Sequence, residues 1–150
     1  MEIRNKTRYD LQSLFHAAVD GFAHDGLTVE VKYCPAGSGR CISGTYYRAT
    51  PRRPDGGLIR LRINRDNKYP LSVAFKTSDY VTRVDRKGRE IIYQKMRREK
   101  FRVPEHLAVA IFLHEFSHYL DHLEGRNGRY KQTKADKFAV ERMREMRLVK

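Results

Sequence analysis

Between Glu105 and Leu123 the apolar residues Leu107, Ala110, Ile111, Leu113, Phe116, Leu120 and Leu123 recur at helical intervals, and the same stretch carries His114, Glu115 and His118. Pro104 stands where such a helix can begin, and Gly125 with Asn127-Gly128 can end it. A helix this apolar must be covered by the rest of the chain. Two imidazoles and a carboxylate within it are therefore costly to bury unless each finds a partner.

The remaining sequence supplies elements to cover it. Leu11, Leu14, Phe15, Ala18, Val19 and Phe22 predict an amphipathic N-terminal helix within residues 7–23, with Thr7 as its cap and Gly21 and Gly26 near its end. Residues 28–33 (TVEVKY) alternate as a strand does, and further strands are expected at 42–48, 58–64, 71–76 and 90–96. Turn-forming residues at 35–39, 54–57 and 86–88 separate them. A last helix is expected at 131–147, presenting Ala135, Phe138, Ala139, Met143 and Met146 on one side. The expectation is an α+β fold: an N-terminal helix, a small, mostly antiparallel sheet, a buried central helix and a C-terminal helix. At 150 residues, without repeats or an obvious linker, the chain reads as a single domain spanning 1–150.

Residues 114 and 118 lie one above the other on a helix, so both imidazoles can bind a single zinc ion, while Glu115 sits about 100° around. From there Glu115 can act as general base toward a water on that ion, the chemistry of peptide-bond hydrolysis.

The run AIFLHEFSHYLDH, followed after a glycine-containing break by KADKFA at 134–139, resembles the compact gluzincin-type zinc metallopeptidases, the ImmA/IrrE-like and SprT-like groups among them. The resemblance covers roughly residues 104–146, strongly at the HExxH motif and weakly in the last helix. It implies a minigluzincin fold, one Zn2+, a protein or peptide substrate held against a sheet edge, and His114 and His118 as ligands with Glu115 as base. It also implies a Glu-x-x-Ala-Asp sequence in the last helix, whose Glu is the third ligand and whose Asp supports a ligating histidine. This chain has Gln132 in place of that Glu, followed by Ala135-Asp136. A neutral amide is a poorer zinc ligand than a carboxylate, and Asp136 is expected to move inward as the third ligand. Gln132, Glu124, Asp121 and His122 remain alternatives, although His122 lies about 12 Å along the helix from His114 and suits the rim of the site better. Asp121 could also accept from an imidazole N–H, and Tyr119 or Tyr130 could donate to a developing oxyanion.

Charge points to a second class of function. The net charge is +13, and residues 51–103 hold 16 Lys/Arg against 6 Asp/Glu. Such a segment attracts polyanions, so a nucleic-acid-associated protein with a structural or degenerate zinc site is the alternative expectation. The longest apolar run, Leu107 to Leu113, is far shorter than a bilayer requires, and the first ten residues lack an apolar signal segment. Cys34 and Cys41 are too few for a disulfide framework. These features imply a cytoplasmic chain with free thiols and no membrane partner.

Overall fold

The computed structural model describes residues 1–51, 54, 57–127 and 131–150. In chain order the elements are β1 (Glu2–Asn5), α1 (Gln12–Ala18), β2 (Thr28–Tyr33), β3 (Ile42–Tyr47), β4 (Leu58–Ile63), β5 (Leu71–Val84), β6 (Glu90–Phe101), α2 (Pro104–Leu123) and α3 (Gln132–Glu145). The architecture is α+β, with a mixed four-stranded sheet in the order β1-β2-β4-β3 and a separate two-stranded ribbon of β5 and β6.

The sheet differs from the expected antiparallel one. β1 pairs parallel with β2, and β2 pairs parallel with β4, leaving β3–β4 as its antiparallel pair. Connectivity explains this. The β1-α1-β2 unit is a helical crossover, which returns the chain in the same direction. β3 then runs back one position away from β2, and β4 fills the gap between them. With a strand on each side, β4 buries Leu58, Ile59, Leu61 and Ile63. β1 escaped periodicity because it has four residues and only Ile3 to mark it.

α1 is shorter than residues 7–23. Asn5 Oδ1 accepts from the Thr7 amide at 2.9 Å, and Asn5 Nδ2 donates to the Tyr9 carbonyl at 2.7 Å, so residues 5–9 are held as a turn. At the other end Gly21 takes φ 82°, which ends the helical path. α2 follows its expectation closely, with Pro104 in its first turn after an extended Val103. It is enclosed on several sides: Leu107, Ala108, Val109, Ala110, Phe112, Leu113 and Phe116 are fully buried. Phe112 stacks on Phe15 of α1 at 4.5 Å between ring centroids, and Phe116 meets Phe22 and Phe138. Among the described residues no helix is long and apolar enough to cross a membrane, and Cys34 and Cys41 are both free.

A charged cluster ties the parallel strands together at the surface. Glu30 of β2 accepts from Arg60 Nε of β4 at 2.6 Å and from Lys6 Nζ, beyond β1, at 3.2 Å. Partial burial acts most strongly on Glu30 and would raise its pKa, yet the bonds and charges of Arg60 and Lys6 overcome it and lower the pKa from 4.5 to about 2. Because the folded pKa is depressed, the stabilisation is present above pH 4.5 and is lost as pH falls toward 2. Glu30→Gln is expected to cost on the order of 1 kcal/mol at pH 7 and to flatten the stability curve across that acid window. Thermal unfolding at several pH values checks this; an unchanged acid limb would refute it.

Candidate metal centre

The helical spacing of α2 brings His114 and His118 edge to face, with ring centroids 5.1 Å apart. α3 packs alongside and brings two polar residues to them from its first two turns. Gln132 Nε2 lies 3.4 Å from His118 Nε2, and Gln132 also helps to raise the pKa of His114. One turn later, Asp136 Oδ1 accepts from His114 Nδ1 at 2.6 Å, while Asp136 Oδ2 accepts from the main-chain N–H of Lys76 on β5 at 2.7 Å. Both oxygens of this buried carboxylate are therefore engaged. The bond to Nδ1 fixes the proton there and leaves the other ring nitrogen of His114 with its lone pair. Burial is the largest influence on His114 and by itself lowers its pKa, but the bond to Asp136 and the charges of Glu115 and Asp136 outweigh it, so the imidazole titrates above its ordinary value.

Glu115 is buried on the side of α2 that faces β3, and its Oε2 accepts from the Tyr46 main-chain N–H at 2.9 Å. Burial, the largest effect, pushes its carboxyl above the ordinary value, with His114 and the Tyr46 amide pulling the other way. β3 reaches this close to α2 because residue 44 is glycine. A Cβ there would lie 2.6 Å from Ile111 Cγ2 and 2.8 Å from both Cγ and Oε1 of Glu115. β3 is also the outer strand of its sheet, so its edge passes beside Glu115.

The other sequence candidates lie apart from this pair of imidazoles. His122 Nδ1 is bonded to the Tyr46 hydroxyl at 2.7 Å, and burial above all pushes that phenol up to about 12, so it stays protonated. Asp121 is paired with Lys134 through Oδ1, not with an imidazole, and its buried Oδ2 has no partner among the described residues. Glu124 is exposed beyond the end of α2 and pairs with Arg126. The Tyr119 hydroxyl donates to the Asp25 carbonyl at 3.1 Å. Tyr130 lies outside the described residues.

Among the described residues no three His, Cys, Asp or Glu side chains are grouped so as to hold one ion. Asp136, expected as the third ligand, is turned to His114 Nδ1 and the Lys76 amide instead. The group that does face both imidazoles is the Gln132 amide. Two atoms each about 2.1 Å from a tetrahedral ion stand about 3.4 Å apart, which matches the distance from His118 Nε2 to the Gln132 amide. Turning that amide by 180° puts Oε1 at this position. His114, His118 and Gln132 are thus the residues that would hold a zinc ion. Sequence reasoning missed Gly44, Tyr46 and Lys76. Two of them act through main-chain atoms, which leave no mark in residue type; the third is a lone strand glycine, the kind of signal that marks a close approach.

The chain matches no family model, no curated protein and no solved structure.

Gly44→Ala is expected to destabilise the fold by about 1–3 kcal/mol, since the new methyl overlaps Ile111 and Glu115. Ile111→Ala combined with it should cost less than the sum of the two single changes. Chemical denaturation of the three variants reads this out, and strict additivity would show that the contact is not the cause.

Proposed function

We propose that this protein is a zinc-dependent peptidase of minigluzincin-like architecture, hydrolysing a peptide bond beside the edge of β3. The observation that carries the reading is the buried Glu115, held on Tyr46 N–H next to an imidazole whose tautomer Asp136 fixes. A zinc ion held by His114, His118 and Gln132 would polarise the substrate carbonyl and make water acidic enough to be deprotonated near neutral pH.

The protein's own groups supply the remaining steps. Glu115 takes the proton of the attacking water and returns it to the departing amine; a carboxyl raised by burial suits both transfers better than an exposed one. The Tyr46 amide orients that carboxylate. Asp136 takes the place that the gluzincin resemblance gives to a supporting aspartate, and the edge of β3 offers main-chain partners to an extended peptide. Gln132 sets the site apart: it offers an oxygen without a charge, so a cation there would be less neutralised and less tightly held than with a glutamate. The same neutrality favours the second reading, a nucleic-acid-associated protein whose zinc site is structural or degenerate. The free thiols of Cys34 and Cys41 suit a reducing, cytoplasmic setting.

Metal analysis should find close to one zinc per chain, lost on replacing His114 and His118 by Ala; full occupancy in that double variant would refute the centre. Gln132→Glu should bind zinc more tightly. Asp136→Asn should weaken zinc binding about 10- to 100-fold without abolishing it, whereas complete loss would restore Asp136 as a ligand.

Glu115→Gln separates catalysis from metal binding. It should keep zinc and fold while lowering hydrolysis of an unfolded protein substrate by roughly 10²- to 10⁴-fold. Zinc-loaded wild type no faster than this variant would favour the second reading.

A further inference from the structure

The β5–β6 ribbon is longer than its contacts with the body require. Its root is anchored: Phe75, Glu99 and Phe101 are buried, Lys76 N–H holds Asp136, and Gln94 Nε2 donates to Thr133 Oγ1 of α3 at 2.7 Å. Beyond a register shift between Lys76 and Tyr80, however, Tyr80–Val84 pair with Glu90–Gln94, and of these ten residues all but the half-buried Ile91 and Gln94 are exposed. A two-stranded ribbon by itself is marginal in water, and this one leaves Ile92 69%, Val84 65% and Tyr80 64% exposed. Side chains of that kind in the open call for something to cover them.

Charge indicates what covers them. Residues 71–101 hold nine Lys/Arg against four Asp/Glu, an excess of five. Two of the four acids are already neutralised, Asp85 by Arg89 and Glu99 by Arg97 and Arg144. The even-numbered residues of β6 share one side of the ribbon: Lys100, Arg98 and Met96 are exposed along the root, Gln94 turns to α3, and Ile92 is exposed beyond it. At the root this row opens into a cleft of about 570 Å³ whose lining includes Arg98, Lys100, Arg102, Arg147 and Lys150 and a single acid, Glu99. Basic groups thus stand at the root, apolar side chains along the outer strands, and Arg83, Arg86 and Lys87 again at the tip.

We infer that the ribbon and the cleft at its root bind duplex DNA, with the tip entering a groove and the basic root holding phosphates. A two-stranded ribbon fits the roughly 12 Å width of the B-form major groove, where apolar side chains meet thymine methyl groups and cations meet the backbone. A stacking platform for a single strand would need its aromatics on one face. Here the register puts Tyr80 on one side of the ribbon and Tyr93 on the other. The inference does not depend on the metal centre, since none of the ribbon's exposed groups is a ligand.

Fluorescence anisotropy of a labelled 24-base-pair duplex, titrated with the full chain over a series of salt concentrations, tests it. Affinity should fall with salt with a log–log slope of about −3 to −5, as for three to five phosphate contacts. Arg98→Glu/Lys100→Glu should weaken binding at least tenfold and reduce the slope by about 2. Tyr80→Ser/Ile92→Ser, at exposed positions, should weaken binding severalfold with the slope unchanged. Arg4→Glu/Lys6→Glu, an equal change of charge beside β1, should leave affinity within about twofold. Three results overturn the inference: no binding at low salt, an equal loss in the β1 control, or a single strand of the same length bound as tightly as the duplex.

Discussion

Asp136 is the residue on which the geometry of the candidate site depends. Its two oxygens join three elements at one point: it sits on α3, accepts from His114 of α2, and accepts from the main chain of β5. A buried carboxylate is expensive to desolvate, and both of these bonds are needed to offset that cost. In return, the orientation of one imidazole, the approach of α3 to α2 and the seating of the ribbon's root become a single geometric condition. Shifting any of the three deprives this buried carboxylate of at least one of its two bonds.

The other carboxylate follows a different rule. Glu115 is held by one amide N–H and is otherwise enclosed by the close passage of β3, which the missing side chain of Gly44 allows. The two carboxylates thus sit in unlike surroundings on neighbouring helices. One is saturated with donors and serves orientation. The other is under-solvated and retains a drive to take up a proton, the property on which its proposed role depends.

Some of this could be read from residue order. α2 was legible because a buried helix shows its period over five turns, and β2, β3 and β4 were legible because their turn residues bracket them closely. The sheet's direction was not legible: local alternation marks a strand but says nothing about which strand it pairs with, and β4 enters between two strands already laid down. The ribbon was cut short at 76 and 96 because exposed β-pairing carries no burial pattern. At the candidate site, the closeness of His114 and His118 on one helix face followed from their spacing, whereas the position of Asp136 did not. Residue type marks a carboxylate as able to bind metal or to orient a ligand, and only the placement of α3 decides which nitrogen or amide it meets.

Both carboxylates at the centre take a hydrogen bond from the peptide backbone, at Tyr46 and at Lys76. Every amino acid except proline carries that donor. The arrangement is therefore insensitive to side-chain identity at position 76, and in this respect at position 46 as well. Neutral drift at these positions can proceed without disturbing the centre, and a mutational scan of side chains would score Lys76 as dispensable although its amide supports the most heavily bonded carboxylate in the site.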